Sequence, residues 1–364
     1  MNFLECSTEI SGVGHLNLSL SSYSFLTTET TPTMCVWRGI YLESDEFYSL
    51  CLHIISFFQI TAGVFGAYIV LFKTPGSMKK AKFSIICFWL IIDLTVFTIP
   101  YVIYPVYSGY SLGIFLYLGV SRWAIAYIAL TSIFLLGPAI VLFFESRYNQ
   151  LIRRDADTKS RFLKRLSYIG FNYVVAFTGI LPAFSNVPEK EVAARTLRRK
   201  CPCLPSDIAA KPGFFMLTQD PAIAVICVLS FILFTLVQTA FFFFSIVIYL
   251  FQNKAQSRQT FVMQKQAFKA LYMQVSVPLL VVFCPTVYLN LSALFGYVDQ
   301  LYSNIAVIWF TMYGILSTIT MISVHKAYRE ATLHVLGCWK SVRVAPVYTT
   351  YSEENNGKWV KLIN

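Results

Sequence analysis

The chain has 364 residues, 56% hydrophobic and only 13% charged, with a formal net charge of +11. Soluble domains carry about 25% charged residues, and so few polar groups cannot cover this much apolar surface in water, which excludes a water-soluble globular fold. The positive charge does not point to nucleic acid, because the basic residues flank apolar runs instead of forming a basic face; that placement orients spans and meets anionic lipid.

Residues 1–48 precede the first long apolar run. Met1–Ile10 carry two acids, no basic stretch and no long apolar core, so they do not read as a signal peptide; the first run is expected to act as its own insertion signal. Asn17-Leu18-Ser19 is a glycosylation sequon. A helix needs about 20 apolar residues to cross the hydrocarbon core. Seven runs qualify: Ser49–Phe72, Phe83–Val106, one within Phe115–Phe144, Leu166–Phe184, Ala222–Phe251, Ala267–Phe295 and Leu301–His325. They predict an all-α membrane protein, a seven-transmembrane helix bundle over residues 49–326 with a tail over 327–364. The third run is longer than one span requires and leaves room for a re-entrant piece.

Orientation follows from Lys and Arg. Most of the 29 basic residues lie after the first, third, fifth and seventh runs, including Lys79, Arg147, Arg153, Arg165, Lys265, Lys269 and Arg329. That side is predicted to be cytoplasmic, with the N-terminus outside and the C-terminus inside. The loop between the fourth and fifth runs is basic around Arg195–Lys200 although this map places it outside. Its acids offset this in part, and long loops cross with little regard to charge.

The cysteines sort by compartment. Cys6, Cys35, Cys201 and Cys203 fall outside, where disulfides persist, and Cys35 is a candidate partner for Cys203 or Cys201. Cys51, Cys87, Cys227 and Cys284 lie in or near spans as small packing residues. No His or Cys completes a metal site with the Cys201–Cys203 pair, and the histidines, His15, His53, His325 and His334, are not at ligand spacing. Cys338, just past the last run, is a candidate for palmitoylation or a free thiol. The sequon at Asn290 should sit inside the sixth run, out of reach. With no hydrolase elbow, phosphate loop or HExxH, the chain is expected to be no enzyme and to hold no cofactor.

A few polar groups stand out. Asp93 is the one acid deep within a run. It is expected to face the interior, either as a functional polar hub or as a protonated acid bonded to nearby backbone. Arg122, beside Trp123, either meets a ligand or snorkels to the interface. Phe144-Glu145-Ser146-Arg147-Tyr148 places an acid two positions before an Arg at the end of the third run, a pair that either exchanges partners as a switch or consists of ordinary interfacial charges. Pro278 and Pro285 should kink the sixth run, and Pro138 and Pro182 are candidates to bend the third and fourth, whether as hinges or as fixed bends.

Several segments together resemble the nematode serpentine chemoreceptors, most closely the class H family. They are Thr74-Pro75 with Met78-Lys79; Trp89, Asp93-Leu94 and Pro100-Tyr101; Phe144-Glu145 and Arg147-Tyr148; Pro202-Cys203-Leu204-Pro205; Gln264; and His325-Lys326 with Tyr328-Arg329. The resemblance spans Phe47 to Leu336. It implies a G-protein-coupled receptor in the plasma membrane of chemosensory neurons, in their cilia, binding a small environmental molecule and a heterotrimeric G protein. A ligand entering from outside would meet residues chosen by depth and chemistry: Arg122, Trp123, Tyr127, Tyr288 and Trp309. Activation and coupling would involve Asp93, Glu145, Arg147, Tyr148, Pro285, Lys265, Lys269, His325 and Tyr328. The alternatives are a transporter or ligand-gated channel, for which the chain has no internal repeat and Asp93 as its one deep acid, and an odorant channel of inverted topology.

Overall fold

A computed structural model describes residues 35–72, 92–153, 158–252, 258–324, 326–335, 337, 351–354 and 358–361. Cys6, Asn17, Cys87, His325 and Cys338 lie outside them. Among the described residues six helices are long and apolar enough to cross a membrane: Asp45–Ile69, Arg122–Leu151, Lys159–Phe184, Pro221–Gln252, Phe268–Phe295 and Gln300–Val324.

Strand β1 (Cys35–Val36) leads into helix α1 (Asp45–Phe72), which opens with Asp45 and Glu46 in its first turn, where acids complement the helix dipole. Of the expected second span, Phe83–Val106, the described part begins at Ile92 and is helical only as far as Phe97. A wide π turn (Asp93–Phe97) ends at Thr98, whose N–H donates to the Asp93 carbonyl, and the chain then runs as strand β2 (Pro100–Ile103). Pro100 cannot continue a helical hydrogen-bond ladder and disfavours a helical residue before it; Ile99 takes φ +37°. Strand β3 (Ser108–Ser111) returns antiparallel to β2, and β4 (Phe215–Met216) extends the sheet. The all-α expectation therefore becomes mostly helical with a small three-stranded sheet.

The third run resolves into a one-turn helix α2 (Ile114–Tyr117) and a single 30-residue helix α3 (Arg122–Leu151), whose N-cap Ser121 accepts from the Ala124 N–H. Glu145–Tyr148 thus lies inside α3, short of its end. Helix α4 (Lys159–Thr178) starts well before Leu166 because Thr158 caps it, and Pro182 sits beyond it in a 3-10 turn instead of bending it. Helix α5 (Lys190–Lys200) precedes β4, and α6 (Pro221–Gln252) is unbroken. The sixth run divides at a second π turn (Leu279–Phe283) between α7 (Arg258–Pro278) and α8 (Cys284–Phe295); α8 stops at Gly296, φ +66°. After β5 (Val298–Asp299) come α9 (Gln300–Thr311), α10 (Tyr313–Val324) and α11 (Lys326–Val335). Strands β6 (Tyr351–Glu354) and β7 (Lys358–Lys361) form a separate hairpin.

One end of the bundle carries a packed cap. Tyr48, Tyr101, Leu197, Leu204, Phe214 and Val298 are buried together there, joining α1, the sheet, α5 and the loop that follows it. A Cys35–Cys203 disulfide ties β1 to that loop, and β1 pairs in parallel with β5. Arg38 donates to Asp299 at 2.8 and 3.0 Å and to Glu43 at 3.2 Å, fastening the same segment to the head of α9. Hydrogen bonds from Arg38, the Tyr302 N–H and Tyr297 outweigh the effect of burial and hold the Asp299 carboxyl below its ordinary pKa. Cys201 remains a free thiol, its pKa pushed up to about 12 by burial against the opposing pull of Lys200.

Candidate functional site

A cavity of about 170 Å³ lies directly beneath this cap. Helix α3 lines it through Arg122, Ile125, Ala126, Ala129, Leu130 and Ile133, the three- and four-residue spacing of one helix face. Strands β2 and β3 form a second wall. Pro285, Thr286, Leu289 and Asn290 of α8 form a third, and Val307 and Phe310 of α9 complete it. Two non-glycine residues beside this wall, Ile99 and Tyr107, hold positive φ of 37° and 43°, a conformation that costs on the order of 1–3 kcal/mol and that the surrounding packing must impose.

The polar groups are few. The Tyr107 hydroxyl donates to Asn290 Oδ1 at 2.6 Å, and Asn290 Nδ2 donates to the Thr286 carbonyl at 2.7 Å. Ser108 is 5% exposed and its Oγ has no hydrogen-bond partner. Arg122, exposed at the rim, donates to the Phe214 carbonyl at 3.3 Å. No carboxylate lines the cavity among the described residues.

Of the residues expected to meet a ligand, the cavity includes Arg122 and omits Trp123, Tyr127, Tyr288 and Trp309. Successive helical residues are rotated by about 100°, so Trp123 and Tyr127 fall off the lining face; they stack on each other at 5.3 Å and pack on Phe184. Tyr288 lies between lining positions of α8. Trp309 is half exposed and its indole donates to the Leu280 carbonyl at 3.2 Å, in the π turn where the regular ladder is interrupted. Tyr107, Ser108 and Asn290 were missed. For Asn290 a signal existed: a polar amide inside a long apolar run needs a partner or a role.

A second cavity of about 120 Å³ lies among α3, α6 and the α7–α8 junction. Ile133, Phe134, Val228 and Thr286 border both cavities. Asp93, which lines neither cavity, accepts from Ser132 at 2.8 Å, joining the first π turn to α3.

Toward the opposite end, Glu145 is 2% exposed and pairs with α4. Arg165 reaches it at 2.6 and 2.8 Å and Arg161 at 3.6 Å, while Arg161 also donates to Asn149 at 3.0 Å. The carboxylate therefore engages α4 and not Arg147. Arg147 lies over the Phe143 ring at 5.4 Å, and Tyr328 is fully buried against Ile69 and Met321. Tyr148 packs on Phe242 at 5.5 Å. Lys265 and Lys269 are exposed on α7.

The family model described as serpentine type 7TM GPCR chemoreceptor Srh matches residues 43–338. The chain is also 24% identical over 347 residues to serpentine receptor class H-72 of Caenorhabditis elegans, an alignment covering 92% of this chain and 98% of that protein.

Proposed function

The chain belongs to the Srh family of serpentine chemoreceptors, multi-pass membrane proteins, and from that premise we propose that it binds a small environmental molecule in the capped cavity and activates a heterotrimeric G protein at the opposite end. The observation that carries this reading is the cavity itself: it lies beneath a disulfide-tied cap and is walled in part by α8, the helix that follows a π turn between Pro278 and Pro285. A ligand favouring one setting of that broken helix would shift the population of its far end.

We place the capped end outside, because its disulfide belongs to an oxidising compartment and the basic residues concentrate at the other end. A seven-span reading requires the chain to recross between Phe72 and Ile92. Supporting it, α1 runs away from the cap as far as Phe72, whereas Thr95 is hydrogen-bonded to Gln59, midway back along α1, at 3.4 Å, and Tyr101 is within the cap. Residues 1–48 would then be the external segment, with a glycan on Asn17, and 327–364 the internal tail, with a lipid on Cys338. The plasma membrane of sensory cilia is the proposed location.

In this reading Asp93 couples the second span to α3. Arg147 and Tyr148, with the exposed Lys265 and Lys269, form the coupling surface, and the buried Tyr328 supports it from behind; His325, outside the described residues, is assigned to activation by the family resemblance alone. The Glu145–Arg165 pair holds α3 to α4, and Pro285 belongs to the hinge. The test is expression with a G-protein reporter and a screen of small volatile and soluble molecules. Ligand-dependent activation that Arg147→Ala reduces is expected. Activation undiminished by that change would sink the coupling role, and ligand-driven ion flux without G protein would sink the receptor reading.

A further inference from the structure

The two cavities have common borders, and the lower one touches Pro278, Leu279, Val282 and Phe283 of the broken helix. Both are mainly apolar. A dry apolar cavity of about 150 Å³ holds a molecule the size of benzene, so either cavity alone takes a few heavy atoms, and only an extended molecule occupies both. Each cavity holds a buried hydroxyl without a partner, Ser108 Oγ in the upper and Thr239 Oγ1 in the lower, and the upper one adds the Tyr107–Asn290 pair, which makes it the more polar end. A buried hydroxyl without a partner is unfavourable until something supplies one. No carboxylate borders either cavity among the described residues, so a cation would be buried without a counter-ion. The one guanidinium, Arg122, stands exposed at the rim and is already bonded to a carbonyl.

We propose that the two cavities form one bipartite site for a neutral, elongated molecule, with a hydroxyl or carbonyl head held by Ser108 and the Tyr107–Asn290 pair and an unbranched apolar chain passing Phe134 and Thr286 into the lower cavity. This rests on the receptor reading above for which cavity receives ligand. It adds the ligand's chemistry, and it places the far end of the chain against the π turn of the sixth span.

The experiment uses the full chain in lipid nanodiscs, with binding read as a shift in thermal midpoint. The probes are straight-chain primary alcohols of about four to ten carbons, with the matching carboxylic acids and amines as comparison arms. Affinity for the alcohols should rise roughly fourfold per methylene until the lower cavity is full, and the amines should not bind. Ser108→Ala should weaken alcohol binding roughly three- to tenfold while leaving the ligand-free midpoint unchanged or higher, since it deletes an unpaired hydroxyl. Thr239→Leu fills the lower cavity, where Thr239 Oγ1 is also buried without a partner. It should move the plateau to shorter chains without weakening the shortest alcohols. Ile140→Phe fills the same cavity from α3 should that variant misfold.

Amines or acids binding as well as alcohols, a plateau unmoved in both filled variants, or alcohol affinity indifferent to Ser108→Ala would each overturn the proposal. Signalling is read separately. Alcohol binding that follows this pattern without G-protein activation refutes the receptor reading and keeps the site. Activation by other molecules, with no alcohol bound, does the reverse.

Discussion

Glu145 shows how far a single side chain departs from its local motif. Two residues from Arg147 in sequence, it turns instead to Arg165 and Arg161 of α4, because residues two apart on a helix point away from each other. Glu145→Gln leaves Arg165 without its carboxylate in a mostly buried place. Breaking a buried pair costs on the order of 3–5 kcal/mol, and we expect the lower end because both arginines keep some solvent contact. A lowered thermal midpoint with raised ligand-independent signalling is the expected result; an unchanged midpoint would show that the pair holds nothing. Asp299 belongs to the same scale. Its folded pKa lies below its ordinary value of 3.8, so its contribution to stability is full above that value and is lost as the pH falls through the lower folded value. The thermal midpoint should therefore drop more steeply below pH 3.8 in the parent chain than in Asp299→Asn. Equal slopes would detach Asp299 from cap stability.

At the scale of elements, the decisive features are the two π turns. Each adds a residue to a helical turn and resets which face follows. In the sixth span that reset brings Pro285, Thr286, Leu289 and Asn290 onto the cavity. Leu280 is largely exposed to the surroundings of the bundle, so its removal deletes little packing. Deleting it should restore a regular helix and rotate α8 by about 100° relative to α7. The expected outcome is lost ligand response with surface expression retained; full response would mean that the turn does not set the register of the site. The wide turn in the sixth span was not legible in the apolar pattern, since Val277 to Phe283 reads as continuous span. The kinks that Pro278 and Pro285 predict were legible, but the extra residue between them was not. The strand Pro100–Ile103 was hidden for a related reason: a short run of Tyr, Val and Ile fits a buried strand and a span end equally well.

Over the whole molecule, the Cys35–Cys203 link closes a long stretch of chain, and the cap it fastens forms the roof of the cavity. Removing such a bridge costs about 2–4 kcal/mol, so Cys35→Ser should lower the thermal midpoint and weaken ligand response together. Cys201→Ser should spare the bridge, because Cys201 is outside it. If Cys35→Ser kept full response, the cap would not be needed to close the site. Length, hydropathy and charge by themselves determined that this chain lives in a membrane, where most of its spans lie and, through its motifs, its family, because these depend on local composition that lipid and water sort directly. Which face of each helix looks inward was left to the tertiary structure. Helix α3 is apolar nearly all round, so no periodicity in it marks Ile125 and Ala129 as lining and Trp123 as outward; only its packing against α4 and α6 and its place opposite β2 and β3 decide that. The pairing of Tyr107 with Asn290, 183 positions apart, was out of reach of any local pattern for the same reason.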